Sequence, residues 1–348
     1  MDRIDFRSDT VSWPTPAMRE AMAAAAVGDD VYGEDPSVNA LEALAAEKVG
    51  KEAGLFVSSG TMGNLAAVLS HAGRGDEAIL GADSHVFSWE AGGIAALGGV
   101  VPLPLPTDAT GRMDPAAIEG AVRGDDPHLP ATRLVLVENS YGGKHGYPLP
   151  PSYFAGVRAV ADRHGLATHM DGARLFNAAV AQNLDAREIT RHVDSVTFCL
   201  SKGLCAPVGS VLCGSTDFIH RARRARKILG GGMRQAGILA AAGIVALNEM
   251  VERLCDDHAH ARLLADGLAA IPGIVVQPEM VKTNMVFFEL GPDVPLSSEA
   301  VAGALSETAN VWVGTNGPRG FRAVTHYWID AADVRTFLEA LERILERA

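Results

Sequence analysis

The chain has 348 residues, 48% hydrophobic and 21% charged, enough for a sizeable core and for two domains, since single cores stop growing near roughly 250–300 residues. Lys and Arg number 30 against 42 Asp and Glu, and the net charge of −12 repels a polyphosphate backbone; no run reaches the roughly 18 unbroken apolar residues of a membrane span. Neither nucleic acid nor a membrane is expected as a partner, four cysteines make no disulfide framework, and Met1–Thr10 carries charges where a secretory signal needs an apolar run, so a cytoplasmic protein is expected.

In chain order, Ala53–Ser58 (AGLFVS) reads as a strand that ends at Gly60 and leads into a helix with Met62, Leu65, Ala66 and Leu69 on one face. Leu134–Glu138, Leu166–Met170 and Val196–Leu200 are further short apolar runs, with helical stretches over 151–164 and 185–192 between them. Strands alternating with helices predict an α/β fold with a parallel sheet buried on both faces. Ser210–Cys213 follows too closely for a crossover and is expected to turn back antiparallel. Gly230, Gly231 and Gly232 then precede a helix over Met233–Leu254. Beyond it, Ile274–Val276, Asn284–Leu290, Val311–Gly314 and Phe321–Thr325 read as strands and Ala331–Glu346 as a closing helix. The expected division is an N-terminal segment over 1–30, a large domain over 31–255 and a small C-terminal α/β domain over 256–348.

The chemistry gathers where strands end. Lys202, in SKGLCAPVGS (201–210), follows an apolar strand directly, and open α/β sheets form their ligand crevice at that edge. A lysine in a partly dry pocket forms a Schiff base with a carbonyl cofactor. Asp171, in HMDGARLFNAA (169–179), stands at the end of the preceding strand. Pyridoxal phosphate needs both groups, a lysine for its aldehyde and a carboxylate that keeps its ring nitrogen protonated. Asp171 equally suits a helix N-cap. SSGTMGN (58–64) places backbone N–H groups and hydroxyls at a helix N-terminus, where a phosphate is favoured, although a plain helix start has the same pattern. His85, in ADSHVFSWEAGG (82–93), lies between phosphate turn and carboxylate, with an imidazole suited to stacking and to proton transfer. Cys199, Cys205 and Cys213 have no zinc-site spacing, and no metal is expected.

With these residues assembled, the sequence resembles the low-specificity L-threonine aldolases, fold-type I pyridoxal-phosphate lyases of the aspartate aminotransferase superfamily. FRSDTVSWPTPAM (6–18), GDDVYGEDPSVNALE (28–42) and LGGGMRQAG (229–237) join the motifs above in family order, so the resemblance runs nearly end to end. It implies a mostly parallel seven-stranded sheet and a homo-oligomer built as a dimer of dimers. It also implies Lys202 as the Schiff-base lysine, Asp171 as partner of the ring nitrogen, His85 as the stacking histidine, and Ser59, Gly60 and Thr61 as the phosphate turn. Arg234 would reach the phosphate from the neighbouring subunit. Ser8, Arg174 and Arg322 would bind the carboxylate of an amino-acid substrate, Arg174 beside the cofactor as well, and His128 would stand near the substrate hydroxyl. The implied reaction is retro-aldol cleavage of L-threonine, L-allo-threonine and related β-hydroxy amino acids to glycine and an aldehyde, with His85, His128 or a bound water as the base. A transaldolase, a β-eliminating lyase and a non-catalytic cofactor-binding homologue use the same frame.

Two positions depart from the family. ENSYGGKHGYPLP (138–150) replaces a Glu-Asn-Thr-His-Asn run, with Tyr141 where the family has histidine, and Cys205 replaces a glycine. Asn139, Ser140 and Tyr141 follow a strand end, so they are expected to point into the crevice, Tyr141 shaping substrate preference.

Overall fold

Seven short runs, six of them carrying Val, Ile, Leu or Phe, pair into one sheet: β1 (Ala53–Val57), β2 (Asp76–Gly81), β3 (Val101–Leu105), β4 (Ala131–Glu138), β5 (Ala167–Asp171), β6 (Ser195–Cys199) and β7 (Ser210–Gly214). Their order is β1-β7-β6-β5-β4-β2-β3 in this computed structural model, which describes residues 3–347. Met1 and Asp2, at the head of the expected N-terminal segment, and Ala348, at the end of the expected C-terminal domain, lie outside the described residues. Only β7 runs antiparallel to its neighbours β1 and β6; β2 through β6 pair in parallel. The run after Gly209 therefore does turn back, and the sheet is of the mostly parallel seven-stranded kind.

Side chains alternate across each strand, and two helical layers cover them. Phe56, Val135, Val137 and Phe198 face a core shared with α1 (Pro36–Lys48), α3 (Pro151–His164), α4 (Leu175–Gln182) and α6 (Gly237–Glu249). Leu55, Val57, Leu134, Leu136 and Leu212 face the other way, toward α2 (Gly60–His71) and α5 (Thr216–Ile228). Helix α2 lies close on the sheet because Gly63 has no side chain; a Cβ there would stand 2.5 Å from the Thr197 methyl.

A second core joins Leu264 and Leu268 of α7 (Leu254–Ala270), Val286 and Phe288 of the small sheet, and Phe337 and Leu341 of the last helix, Ala331–Leu345. That sheet is four-stranded and antiparallel, formed by Ile274–Val276, Met285–Leu290, Gly314–Asn316 and Gly320–Val324. Phe6 belongs to the same core, edge-on to Phe337 at 5.2 Å, and Ile4–Asp5 pair in parallel with Val311–Trp312. The N-terminal residues thus start in the small unit and pass to the large one, where Ser12 Oγ donates to the Lys202 carbonyl at 2.9 Å. The helix expected over Met233–Leu254 is shorter, Gly237–Glu249, because Asp35 accepts from the Gly237 N–H at 2.8 Å and the residues before it run as turn. The stretch expected over 185–192 is a single turn and a half, Ala186–Thr190. Among the described residues no helix is long and apolar enough to cross a membrane.

Candidate active site

The C-terminal ends of β1, β4, β5 and β6 meet on one edge of the sheet, and each delivers a polar group. β1 ends in Val57, after which the chain turns into α2. Ser59 caps that helix, its Oγ accepting from the Met62 N–H at 3.1 Å, so the N–H groups of Gly60 and Thr61 have no partner within the helix. Gly60 is required by close packing, since a Cβ there would lie 2.9 Å from Cys199 Sγ at the end of β6.

Asp171 ends β5 and is buried. Its Oδ1 accepts from the Ala173 N–H at 3.0 Å, a local turn bond, while Oδ2 accepts from Asn64 Nδ2 at 2.9 Å. The carboxylate is thus spent on holding a position in the crevice, and the N-cap of α4 is Arg174, not Asp171. Asn64 also donates to Glu90 Oε1 at 2.8 Å, and His85 Nδ1 lies 2.9 Å from that same oxygen. One ring nitrogen of His85 and one carboxylate oxygen each of Glu90 and Asp171 lie within 4.8 Å of one another. The hydrogen bond to Glu90 raises the His85 pKa against its partial burial, with the nearby Asp171 charge adding to it.

Glu138 ends β4, in register with Asp171, and takes the backbone N–H groups of His85 at 2.9 Å and Gly142 at 2.8 Å. Burial, then the Asp171 charge, raises its pKa. Lys202 lies just past β6, half-buried, in a turn closed by the Cys205 N–H on the Lys202 carbonyl at 2.9 Å. Among the described residues its ammonium has no hydrogen-bond or ion-pair partner, while its charge reaches Asp9 and His85.

Opposite this edge stands a guanidinium pair. Arg174 Nε and Nη2 donate to the two oxygens of Asp9 at 2.7 and 2.6 Å, and Asn284 Nδ2 donates to Asp9 at 3.2 Å. Burial would raise the Asp9 pKa, but the Arg174 charge and its hydrogen bonds outweigh that and hold the carboxyl far below its usual range. Among the described residues the Arg322 guanidinium makes a single hydrogen bond, Nη2 to the Arg7 carbonyl at 3.4 Å, and its pKa is lowered by burial and then by repulsion from Arg174. Among the described residues Asp9 is the one carboxylate ion-paired with Arg174, and the Arg322 guanidinium has no carboxylate partner. Ser8 lies beside Asp9, its Oγ accepting from Thr10.

The structure thus brings Ser8, Ser59, Gly60, Thr61, His85, Asp171, Arg174, Lys202 and Arg322 to one crevice and its rim. Arg234 is half-exposed and paired with Asp29 at 2.8 Å. His128 is not brought there: it precedes β4, at the opposite end of that strand from Glu138, with its side chain 89% exposed and bonded only to Asp126. Tyr141 also departs from expectation. The loop from Glu138 closes on itself through a Tyr141–Tyr147 bridge and through Asn139 Oδ1 accepting from the Leu149 N–H at 2.9 Å. The Tyr141 ring is therefore turned away from the crevice into a slot where a Cβ at Gly81 or Gly111 would strike it at 2.6 or 2.3 Å. It is a packing residue, and burial pushes its phenol pKa well up.

Asn64, Glu90 and Glu138 are the site residues that sequence reasoning missed. Each sits inside a motif already singled out and is buried, but Asn64 and Glu90 act through partners remote in sequence that no local pattern marks.

Residues 5–290 match the family model described as beta-eliminating lyase. The chain is 47% identical to a probable low-specificity L-threonine aldolase 2 of Arabidopsis thaliana over 98% of its own length and 97% of the plant protein. It is 46% identical to the low specificity L-threonine aldolase of Escherichia coli K12 over 93% of both chains. The fold is similar to that of the Leishmania major threonine aldolase structure, with a TM-score of 0.82, 22% identity and coverage of 98% and 99% of the two chains.

Proposed function

The chain belongs to the beta-eliminating lyase family and, within it, to the low-specificity L-threonine aldolases, and from that premise we propose a pyridoxal-phosphate-dependent aldehyde-lyase that cleaves L-threonine, L-allo-threonine and related L-β-hydroxy-α-amino acids to glycine and an aldehyde. The observation that carries this reading is an unpartnered lysine on the same sheet edge as a buried, oriented carboxylate and an arginine pair of which, among the described residues, only Arg174 has a carboxylate partner. The donor set fits the cofactor: an amine for its aldehyde, a carboxylate for its ring nitrogen, and a helix N-terminus with free N–H groups for its phosphate. Pyridoxal phosphate, when bound, supplies an electron sink for the electrons of the breaking Cα–Cβ bond.

The chain's own residues do the rest. Lys202 would carry the cofactor, Ser59, Gly60 and Thr61 would bind its phosphate, and Asp171 would keep the ring nitrogen protonated through a favourable charge contact. Arg322 and the Arg174 nitrogen that Asp9 leaves free would take the substrate carboxylate, with Ser8 beside them, and planar forks of this kind fix its orientation. That orientation decides which Cα bond is broken. His85, whose imidazole has the unperturbed pKa closest to neutrality, would remove the β-hydroxyl proton.

The enzyme would act as a homo-oligomer, a dimer of dimers. Trp89, Tyr32 and Ile228 are 76%, 74% and 83% exposed, and in the oligomer the half-exposed Arg234 would exchange its Asp29 partner for the cofactor phosphate of a neighbouring copy. Lys202→Ala tests the central assignment: the visible absorbance of the bound cofactor and nearly all turnover should vanish. Retained absorbance and turnover would remove Lys202 from its role.

A further inference from the structure

A continuous line of hydrogen bonds runs behind the crevice and ends on Asp171 and His85, through groups to which the proposed reaction gives no part. His71 Nε2 lies 2.7 Å from Ser195 Oγ, which lies 2.8 Å from His169 Nδ1; His169 Nε2 lies 3.2 Å from Asn64 Oδ1. Asn64 Nδ2 then donates to Glu90 and Asp171, and Glu90 Oε1 meets His85 Nδ1.

The protons on this line can be placed one by one. Two carboxylates face one end of the Asn64 amide, and carboxylates accept, so that end is the NH2 group and Oδ1 faces His169. His169 is fully buried and burial drives its pKa far down, so it is neutral and carries its single hydrogen on Nε2, pointing at Oδ1. Its Nδ1 then accepts from the Ser195 hydroxyl, which in turn accepts from His71 Nε2–H. Every donor meets an acceptor. At the other end, Glu90 is buried, its Oε2 has no partner, and Oε1 alone serves both Asn64 and His85. An oxygen that already accepts from an amide accepts again from the imidazole, so His85 carries a hydrogen on Nδ1.

We propose that Glu90 and Asn64 are positioning residues which keep the hydrogen of His85 on Nδ1, so that when the ring is neutral its Nε2 lone pair is the proton acceptor at the crevice, and that His169 fixes the Asn64 amide that makes this possible. The proposal rests on the aldolase reading for its catalytic meaning and on hydrogen bonds alone for the tautomer. A histidine with its hydrogen on Nε2 offers no acceptor on that side, so the network decides whether His85 can act as a base at all. The charged groups around His85 are Glu90, Asp171, Glu138 and Lys202, and only Glu90 contacts its ring nitrogen.

The test uses the full chain with 15N-labelled histidine, without cofactor and then with pyridoxal phosphate bound. At a pH above the raised pKa of His85, where the ring is neutral, its 15N shifts should report the Nδ1–H tautomer in both. Glu90→Ala should release the ring to the Nε2–H form and lower kcat for L-threonine at least tenfold with KM little changed. Glu90→Gln, whose amide oxygen still accepts from Nδ1, should keep the tautomer and recover part of kcat, a rescue that mere cavity filling would not produce. An Nε2–H signal in the wild-type chain, or an Nδ1–H signal that survives Glu90→Ala, would overturn the proposal whatever the activity. A wild-type chain with the Nδ1–H signal and no cleavage of L-threonine would leave the tautomer assignment standing and count against the aldolase reading instead.

Discussion

Replacing Asp9 with asparagine tests whether the carboxylate clamp is built on a buried ion pair. The two oxygens of Asp9 take Arg174 Nη2 and Nε at 2.6 and 2.7 Å, with Asp9 fully buried and Arg174 nearly so. Removing one partner of such a pair leaves the other charge uncompensated, at a cost of about 3–5 kcal/mol. At about 1.4 kcal/mol per tenfold, the folding equilibrium should fall by roughly two to four powers of ten. Arg322 works in the same direction, because its repulsion of Arg174 loses the carboxylate that is ion-paired with Arg174. Urea unfolding at pH 7, with the denaturant slope unchanged, measures the difference. The pH dependence has a definite sign. The folded pKa of Asp9 lies below its unfolded value of about 3.9, so its contribution is complete above that pH and is lost as the pH falls toward the folded value. The gap between wild type and Asp9→Asn should therefore narrow below about pH 4. A loss under about 1 kcal/mol at pH 7, the range of an exposed pair, or a gap that widens in acid, would refute the reasoning.

Other substitutions separate packing from chemistry. Tyr141→Phe removes a buried hydroxyl whose only near polar neighbour is Thr107 among the described residues, so stability should change by no more than about 1 kcal/mol, and the ratio of kcat/KM for L-threonine and phenylserine should not move; a changed ratio would return Tyr141 to the crevice. Cys205→Gly relieves a left-handed backbone, φ +63, worth about 1–2 kcal/mol, against the loss of a small buried side chain, so Tm should change by only a few degrees, whereas a large fall would mean the thiol is structural. Gly60→Ala drives a methyl against Cys199 Sγ and should weaken pyridoxal-phosphate binding at least tenfold, with recovery in the Gly60→Ala, Cys199→Ala double variant; equal affinity of the single variant and wild type would remove Gly60 from the phosphate turn. Arg322→Ala should raise KM for L-threonine by roughly 10- to 100-fold, the size of a lost charge-assisted hydrogen bond, and an unchanged KM would take Arg322 out of the clamp.

What the sequence made legible follows physical rules. β6 and β7 are short runs led by Val, Phe and Leu, and a sheet buried on both faces requires such runs. β3 escaped because its sequence is VPLPL, and two prolines argue against a strand. It is tolerated at the sheet edge, where one side needs no ladder bond. Lys202 and Asp171 could be found because strand ends converge in a parallel sheet. Asn64 and Glu90 could not, because each acts through a partner remote in sequence, Asn64 on Asp171 and Glu90 on Asn64. Position after a strand end also misled: Tyr141 follows β4, yet the two glycines at 81 and 111 open a slot beneath it, and no local pattern reveals a slot made by distant chain. The opposite strand end defeats His128, which shares β4 with Glu138 but stands before it.

The most direct measurement is of products. The purified chain loaded with pyridoxal phosphate is incubated with L-threonine, and glycine, acetaldehyde, 2-oxobutyrate and ammonia are quantified over the course of the reaction. Glycine and acetaldehyde in equal amounts, both lost in Lys202→Ala, are the expected result. Formation of 2-oxobutyrate and ammonia in place of glycine would mean that the crevice breaks a different bond, and would contradict the assignment of carbon–carbon cleavage to this site.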